Sequence, residues 1–429
     1  MHEAAKVAAT MILHCIFSVV VGVASALILP TLGPRPELGY LGALDSDDLF
    51  SELGKQLSPG ATIIRRDNPV VEVDDEDDVQ KTVCFANNHS LPFLAIDGSH
   101  GFISTLGRMQ GGIAISFMKL KQIKINPSGD YADLGPGLTN GELIRGLWAE
   151  GKQTGIMLGG GHGYLQGLFG LLADQILEAH VVLADGSSVI ASQKSHPNLL
   201  WALKGAGHNF GIVTRLKYRI YDRLSNNFLR EDGQPPQLIN WYNFMRRPDI
   251  DSNSAVIQMR MIYAGDLSGL EQYAAPFLAL GPASVENVTV PYPELFRINR
   301  SDESSQVVCG KGMYRHLFPT YLKRHNTTAL REVHRIFTDM TTNSPVWGYT
   351  NPAYSNDIIA ASKAMRQAMV DGSGSEQLHA YVNYAFGDES PPEMYGYAPW
   401  RMQKLRELKK KYDPKGRFNF YAPIGKPSD

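Results

Sequence analysis

The stretch "FLAIDGSHGFISTLG", Phe93 to Gly107, sets one histidine, His100, in a loop of small residues directly after a short apolar run. Two glycine clusters follow. "GIMLGGGHGYLQGLFGLLADQ" contains Gly159, Gly160, Gly161 and Gly163, and "KGAGHNFGIVT" contains Gly205, Gly207 and Gly211. Glycine lets main chain approach a ligand closely, and successive N–H groups in such turns form concavities suited to a phosphate. Both clusters fit a loose G-x-G-x-x-x-G spacing, but a dinucleotide fingerprint follows a buried strand and opens a helix within one βαβ unit. The third cluster leads into a strand instead, so a Rossmann reading fits poorly. Turn glycines holding no ligand are the plain alternative for any one cluster. His162 and His208 sit in similar loops and read as turn residues rather than chemical groups. The chain has no H-E-x-x-H, no G-x-S-x-G and no thiol-based triad.

The elements that must position these loops follow from local spacing. In "PVVEVDDEDDVQKTVCFANNHSLPFLAIDG" Val71 and Val73 alternate as in a strand, and Asp74 or Asp75 can cap a helix. Val79, Val83 and Ala86 then recur at helical spacing before a second strand. "GGIAISF" and "YADLGPG" are further strands. Thr139 and Glu142 form a capping box ahead of Leu143, Leu147 and Trp148. "HVVLADGSSVIAS" predicts a hairpin with a type I′ turn at Asp185-Gly186. Met402, Leu405, Leu408 and Tyr412 make a helical stripe stopped by Asp413-Pro414. Many short strands with inserted helices, without regular βαβ repetition, predict an α+β fold.

With 429 residues the chain has room for two domains, and a formal charge of -2 offers no basic field for nucleic acid or an anionic membrane. Lys6 precedes "MILHCIFSVVVGVASA", which ends in the small-x-small triplet Ala24-Ser25-Ala26. That is the pattern of a cleaved secretory signal, and the run is short of the ~20 apolar residues a membrane span needs. A buried first helix is the alternative. Cleavage would remove Cys15 and leave Cys84 and Cys309, either paired or as two free thiols. Sequons at Asn88, Asn287, Asn299 and Asn326 agree with secretory passage.

In order along the chain, "DGSHG", "LGGGHGYLQG", "GLLADQ", "VVLADG", "LLWALKGAGHNFGIVT", "YVNYAFGD" and "KKKYDPKGRFNF" resemble the vanillyl-alcohol-oxidase (PCMH) type FAD proteins. Within these, the set is similar to the berberine-bridge-enzyme-like branch found among fungal FAD-linked oxidoreductases. The resemblance covers roughly Asp67 to Tyr221 and Leu378 to Ile424. It implies an FAD-binding domain in two parts with an inserted α+β substrate-binding domain. The expected boundaries are a signal at 1–26, a lead-in at 27–65, FAD binding at 66–223, substrate binding at 224–371 and a closing segment at 372–429.

By the same resemblance, Ile96, Asp97, Gly98, Ser99, His100 and Gly101 form the loop that holds the pyrophosphate, with His100 bonded covalently to the flavin. Gly159, Gly160, Gly161 and Gly163 lie along the cofactor, and Gly211, Ile212 and Val213 contact it through backbone. Many relatives carry a second attachment through a cysteine before the second glycine cluster. "EGKQTGIMLGGGHG" has none and is shortened there, so a single attachment is expected. "YVNY" matches the segment over the flavin ring, which makes Tyr381 and Asn383 the catalytic candidates, with Asn383 also a cofactor contact. A tyrosine hydroxyl could accept a substrate proton if its pKa were depressed. The implied activity is hydride removal from a small organic substrate in secondary metabolism, with oxygen as acceptor and no metal. The alternatives are a carbohydrate oxidase of the same family and a flavin-poor relative that guides a non-redox cyclisation.

Overall fold

Asp75, not Asp74, caps the helix Glu76–Asn88. Its carboxylate accepts from the Asp78 N–H at 2.9 Å, and the acidic residues 76–78 lie at the positive end of the helix dipole. Such a cap contributes about 1 kcal/mol. Val79, Val83 and Ala86 are buried as their spacing predicts, joined by Thr82 and Phe85. The computed structural model from which these contacts come describes residues 8–13, 22–25, 46–65, 68–97, 103–154, 161–223, 235, 237–299, 302, 304, 314–343 and 355–425.

The chain divides into two compact units. The first gathers Leu29–Gly161, Leu171–Asp222 and Gly387–Asp429. It contains a four-stranded sheet ordered Thr62–Ile64, Val70–Glu72, Ile113–Ser116, Phe93–Ile96, in which the last three strands run parallel. A five-stranded antiparallel sheet is ordered Ser188–Ser192, Ile176–Val182, Ile212–Arg219, Tyr131–Leu134, Ile123–Ile125. The helix Glu76–Asn88 joins the two sheets. Val79, Val83 and Phe85 share one core with Val71, Phe93 and Ile113 of the first sheet and Val182 and Ile212 of the second. Gln80 Nε2 and Asn87 Nδ2 donate to the carbonyls of Gly186 and Ala184 at 2.9 and 2.8 Å.

The hairpin forms where predicted, but its turn is not type I′. Gly186 N–H donates to Leu183 O at 3.0 Å and only Gly186 has positive φ, at +88°. Ala184 and Asp185 are thus the turn's central residues, and Gly186 follows in the left-handed position, which makes a three-residue loop with a bulge. The Thr139–Glu142 capping box is present on the helix Asn140–Ala149. The stripe Met402, Leu405, Leu408 and Tyr412 is buried on Pro399–Tyr412, and Asp413 ends that helix.

The second unit gathers Met1–Ile28, His162–Gly170 and Arg223–Phe386. Its sheet is ordered Leu238–Met245, Val256–Tyr263, Ala8–Leu13, Val285–Val290, all antiparallel. The helix Leu267–Leu278 packs Leu270 and Ala274 onto Met259, Met261 and Tyr263. Two long helices, Thr327–Asn343 and Ser355–Gly372, meet through Leu330, Val333, Met365 and Met369. Ala8–Leu13 and a second short strand, Gly22–Ser25, both fall inside the expected signal sequence. Neither is the buried first helix weighed as its alternative. Among the described residues no helix is long and apolar enough to cross a membrane.

Candidate active site

The parallel strand Phe93–Ile96 ends at Ile96, half-buried, and Asp97 is exposed at the bend that follows. Gly98, Ser99, His100 and Gly101 lie outside the described residues, as do Gly159 and Gly160. Loops at the carboxyl ends of parallel strands are where such sheets place ligands. Gly161 is buried at φ +64°, and its carbonyl accepts from Leu172 N–H at 3.3 Å. Gly163 accepts from Gln166 N–H at 3.1 Å.

Gly211 shows why the third cluster requires a glycine. A Cβ there would stand 2.4 Å from Val181 Cγ1 and 2.9 Å from Val182 O. Ile212 and Val213 then begin their strand, paired with Val182 and Val181. His208, beside them, is held by Tyr395, with Nε2 and Oη 2.8 Å apart. Burial pushes its pKa down to about 4, so the ring is neutral and structural.

The residues present fit an FAD. Gln153 immediately precedes the second glycine loop, and its Nε2 donates to Asp222 O at 3.0 Å. Its Oε1 is buried with no hydrogen-bond partner among the described residues. A ring N–H of a cofactor would satisfy that oxygen, and a buried acceptor left unpaired is costly. Glycine-rich turns of the kind the sequence carries can supply main-chain donors to a pyrophosphate.

Tyr381 and Asn383, predicted from one short motif, are brought together. Val382–Tyr384 forms a 3-10 turn, and Asn383 Nδ2 donates to the Tyr381 oxygen at 2.7 Å. Within the same unit Tyr381 packs edge-on against Tyr384 at 5.0 Å and against the His162 imidazole at 4.7 Å. His162 in turn reaches Tyr321, with Nε2 2.6 Å from the hydroxyl. The two tyrosines beside Tyr381 hold their protons more tightly than a free phenol. Desolvation first, then the neighbouring tyrosines, push Tyr321 and Tyr384 up to about 12. Both side chains are therefore neutral phenols at neutral pH.

Tyr321, Tyr384 and the pairing of His162 were missed by the sequence reading. Tyr384 stood inside the quoted "YVNY", where a second tyrosine three positions on was the available signal. Tyr321 belongs to the weakly patterned middle of the chain and carried no local signal.

A model of the FAD binding domain matches residues 68–192, and a berberine and berberine-like model matches residues 380–425. The FAD-linked oxidoreductase chyH of Penicillium rubens is 33% identical over 434 residues, covering 83% of this chain and 86% of that protein. The FAD-linked oxidoreductase chry5 of Gibberella zeae is 32% identical, covering 87% of this chain and 89% of that protein. Among solved structures, Physcomitrella patens BBE-like 1 superposes with a TM-score of 0.70 at 18% identity, covering 88% of this chain and 100% of that one. The 6-hydroxy-D-nicotine oxidase of Arthrobacter nicotinovorans gives 0.70 at 19%, covering 86% and 99%. The chain belongs to the FAD-linked oxidoreductases, with an FAD binding domain and a berberine-like closing segment.

Proposed function

We propose that the protein is an oxidase that removes a hydride from a small organic substrate, in fungal secondary metabolism, with molecular oxygen as the final acceptor. Its first unit, assembled from N- and C-terminal segments, holds the FAD, and its second unit holds the substrate. The observation that carries this reading is the cluster of Tyr321, Tyr381, Tyr384, His162 and Asn383, all in the second unit. The chemistry FAD supplies when bound is acceptance of a hydride and delivery of its two electrons to oxygen. The protein's own residues do the rest. Asn383 orients the Tyr381 hydroxyl, Tyr384 packs edge-on against the Tyr381 ring, and the tyrosine–histidine pair takes the substrate proton.

The named fungal relatives support FAD-linked redox chemistry. A carbohydrate oxidase is the second reading. Its support is that the structural neighbours include a chitooligosaccharide oxidase and a xylooligosaccharide oxidase, although at 17% and 19% identity they speak for the fold alone. Oxygen is favoured as acceptor because the sequence has no convincing nicotinamide site and secretory passage would separate the enzyme from that cofactor pool. We further propose that His100 carries a single covalent bond to the FAD. Purified protein should be yellow, and acid precipitation should leave the flavin attached. His100→Ala should release it, whereas Cys84→Ser and Cys309→Ser should not.

The reaction is tested by anaerobic mixing with 4-hydroxybenzyl alcohol, a benzylic amine and cellobiose in turn. Bleaching of the flavin absorbance, then peroxide on admitting oxygen, is the expected result. Turnover that strictly needs added NAD(P) would overturn the oxidase reading, and a colourless, active protein would favour a non-redox cyclisation.

A further inference from the structure

The two ring nitrogens of His162 have different partners. Nδ1 lies 2.7 Å from Gln166 Oε1, and Nε2 lies 2.6 Å from the Tyr321 hydroxyl. An amide oxygen only accepts, so this orientation of Gln166 assigns the ring proton to Nδ1 and leaves a lone pair on Nε2. The Tyr321 O–H therefore donates to Nε2, and a phenol is held against a ready base. Tyr321 is fixed from its other end, where its N–H donates to His379 O at 2.8 Å. The Tyr381 ring meets the imidazole at an interplanar angle of 78°.

Packing does not account for this arrangement. His162 and Gln166 are exposed, and Tyr321 is 45% exposed, so the trio buries little apolar surface. The groups facing His162 are Gln166, Tyr321 and Tyr381, and among the described residues no carboxylate pairs with the ring.

We propose that His162 is the proton-holding partner of Tyr321, a positioning residue that makes Tyr321 the group accepting the substrate's proton. This rests on the oxidase reading above. The substrate C–H bond breaks with its electron pair, which leaves as hydride to the enzyme's FAD. The substrate O–H or N–H bond breaks without its electrons, and that proton bonds to the Tyr321 oxygen as the phenol's own proton moves to His162 Nε2. The imidazolium carries the net proton and loses it to water through its exposed face. Gln166 keeps Nδ1–H in place throughout, which fixes the tautomer that makes Nε2 the acceptor.

The test uses the flavin-loaded protein and two independent readouts. Histidine ¹⁵N NMR should show His162 protonated at Nδ1 and bare at Nε2 at neutral pH, and Tyr321→Phe should move the Nε2 resonance. In anaerobic mixing with 4-hydroxybenzyl alcohol, a benzylic amine or cellobiose, His162→Gln should slow flavin reduction about 10²-fold with little change in binding. Its pH profile should differ from that of the wild type, and added imidazole should restore part of the rate. A protonated Nε2 in the wild type, or a resonance unmoved by Tyr321→Phe, would overturn the pairing. A His162→Gln rate and pH profile matching the wild type would overturn the proton's route while leaving the oxidase intact. Wild-type protein inert to every probe, with the NMR pattern present, would overturn the oxidase reading and the proton's route with it, but not the tautomer.

Discussion

Asn383 donates to the oxygen of Tyr381 from two positions along the same 3-10 turn, a bond that fixes the direction of that hydroxyl. Tyr381→Phe is expected to slow flavin reduction ~10²–10⁴-fold while changing substrate binding little. Asn383→Leu should cost less, and the double variant should be no slower than Tyr381→Phe alone, because residues acting through one hydrogen bond are not additive. Stopped-flow reduction of all three variants measures this, and additive losses would separate the two residues. His208 gives a prediction of a different kind. Its folded pKa, about 4, lies below the ordinary histidine value near 6.5, so in acid the unfolded chain takes the proton first. The stability contributed by burying the neutral ring is fully present above pH ~6.5 and is lost as pH falls toward 4. The loss is on the order of 1–3 kcal/mol, allowing for the ring's partial exposure. Thermal unfolding followed from pH 7 to 4 should show it, and His208→Gln should flatten that slope.

The helix Pro399–Tyr412 is fastened at its end by a buried ion pair. Lys409 Nζ donates to Asp413 Oδ2 at 2.6 Å and to the carbonyls of Asn209 and Phe418 at 2.9 and 2.8 Å. Asp413, fully buried, accepts from the N–H groups of Arg417 and Phe418 at 2.7 and 2.8 Å. One latch thus ties the closing segment to the third glycine turn, all within the first unit. Asp413→Ala leaves the Lys409 ammonium without its carboxylate and should cost about 3–5 kcal/mol. Lys409→Met with Asp413→Leu should cost less than the worse single change, as denaturant unfolding would show.

This element also marks where local patterns were readable. Spacing alone announced the stripe of Met402, Leu405, Leu408 and Tyr412, the stop at Asp413-Pro414 and the Thr139–Glu142 box, because each depends on residues within a turn or two. The Asp185-Gly186 turn was legible in place but not in type. Helix side chains from Gln80 and Asn87 hold the loop carbonyls in the observed form, and that contact joins positions about a hundred residues apart in sequence. For the same reason the motif "YVNY" led to Tyr381 and Asn383, but nothing local paired His162 with Tyr321. That meeting depends on how the whole second unit folds.

At the scale of the whole chain, the sequons and the N-terminus bear on one question, whether the protein travels the secretory pathway. We expect that it does, that residues up to Ala26 are removed, and that glycans are selective. Asn88 and Asn287 are exposed and open to modification. Asn299 is only 5% exposed, donates to Tyr164 and has its carbonyl bound by Arg260 at 3.0 Å, so a glycan there is incompatible with the fold. Asn326 Oδ1 accepts from Thr328 and Ala329 N–H groups at the start of the helix Thr327–Asn343, which makes it a poor acceptor site once folded. Cleavage has a structural consequence as well. Ala8–Leu13 pairs on one side with Val256–Tyr263 and on the other with Val285–Val290, so its removal leaves those two strands without their shared partner. A protein lacking residues 1–26 should therefore keep the first unit's stability and show faster amide exchange along 256–263 and 285–290. Intact-mass and glycopeptide analysis of protein from its native host decides the matter. A start after Ala26 with glycans at Asn88 or Asn287 is the expected result. An intact Met1 with no glycan mass would instead make Ala8–Leu13 a permanent strand of the sheet and remove the secretory reading.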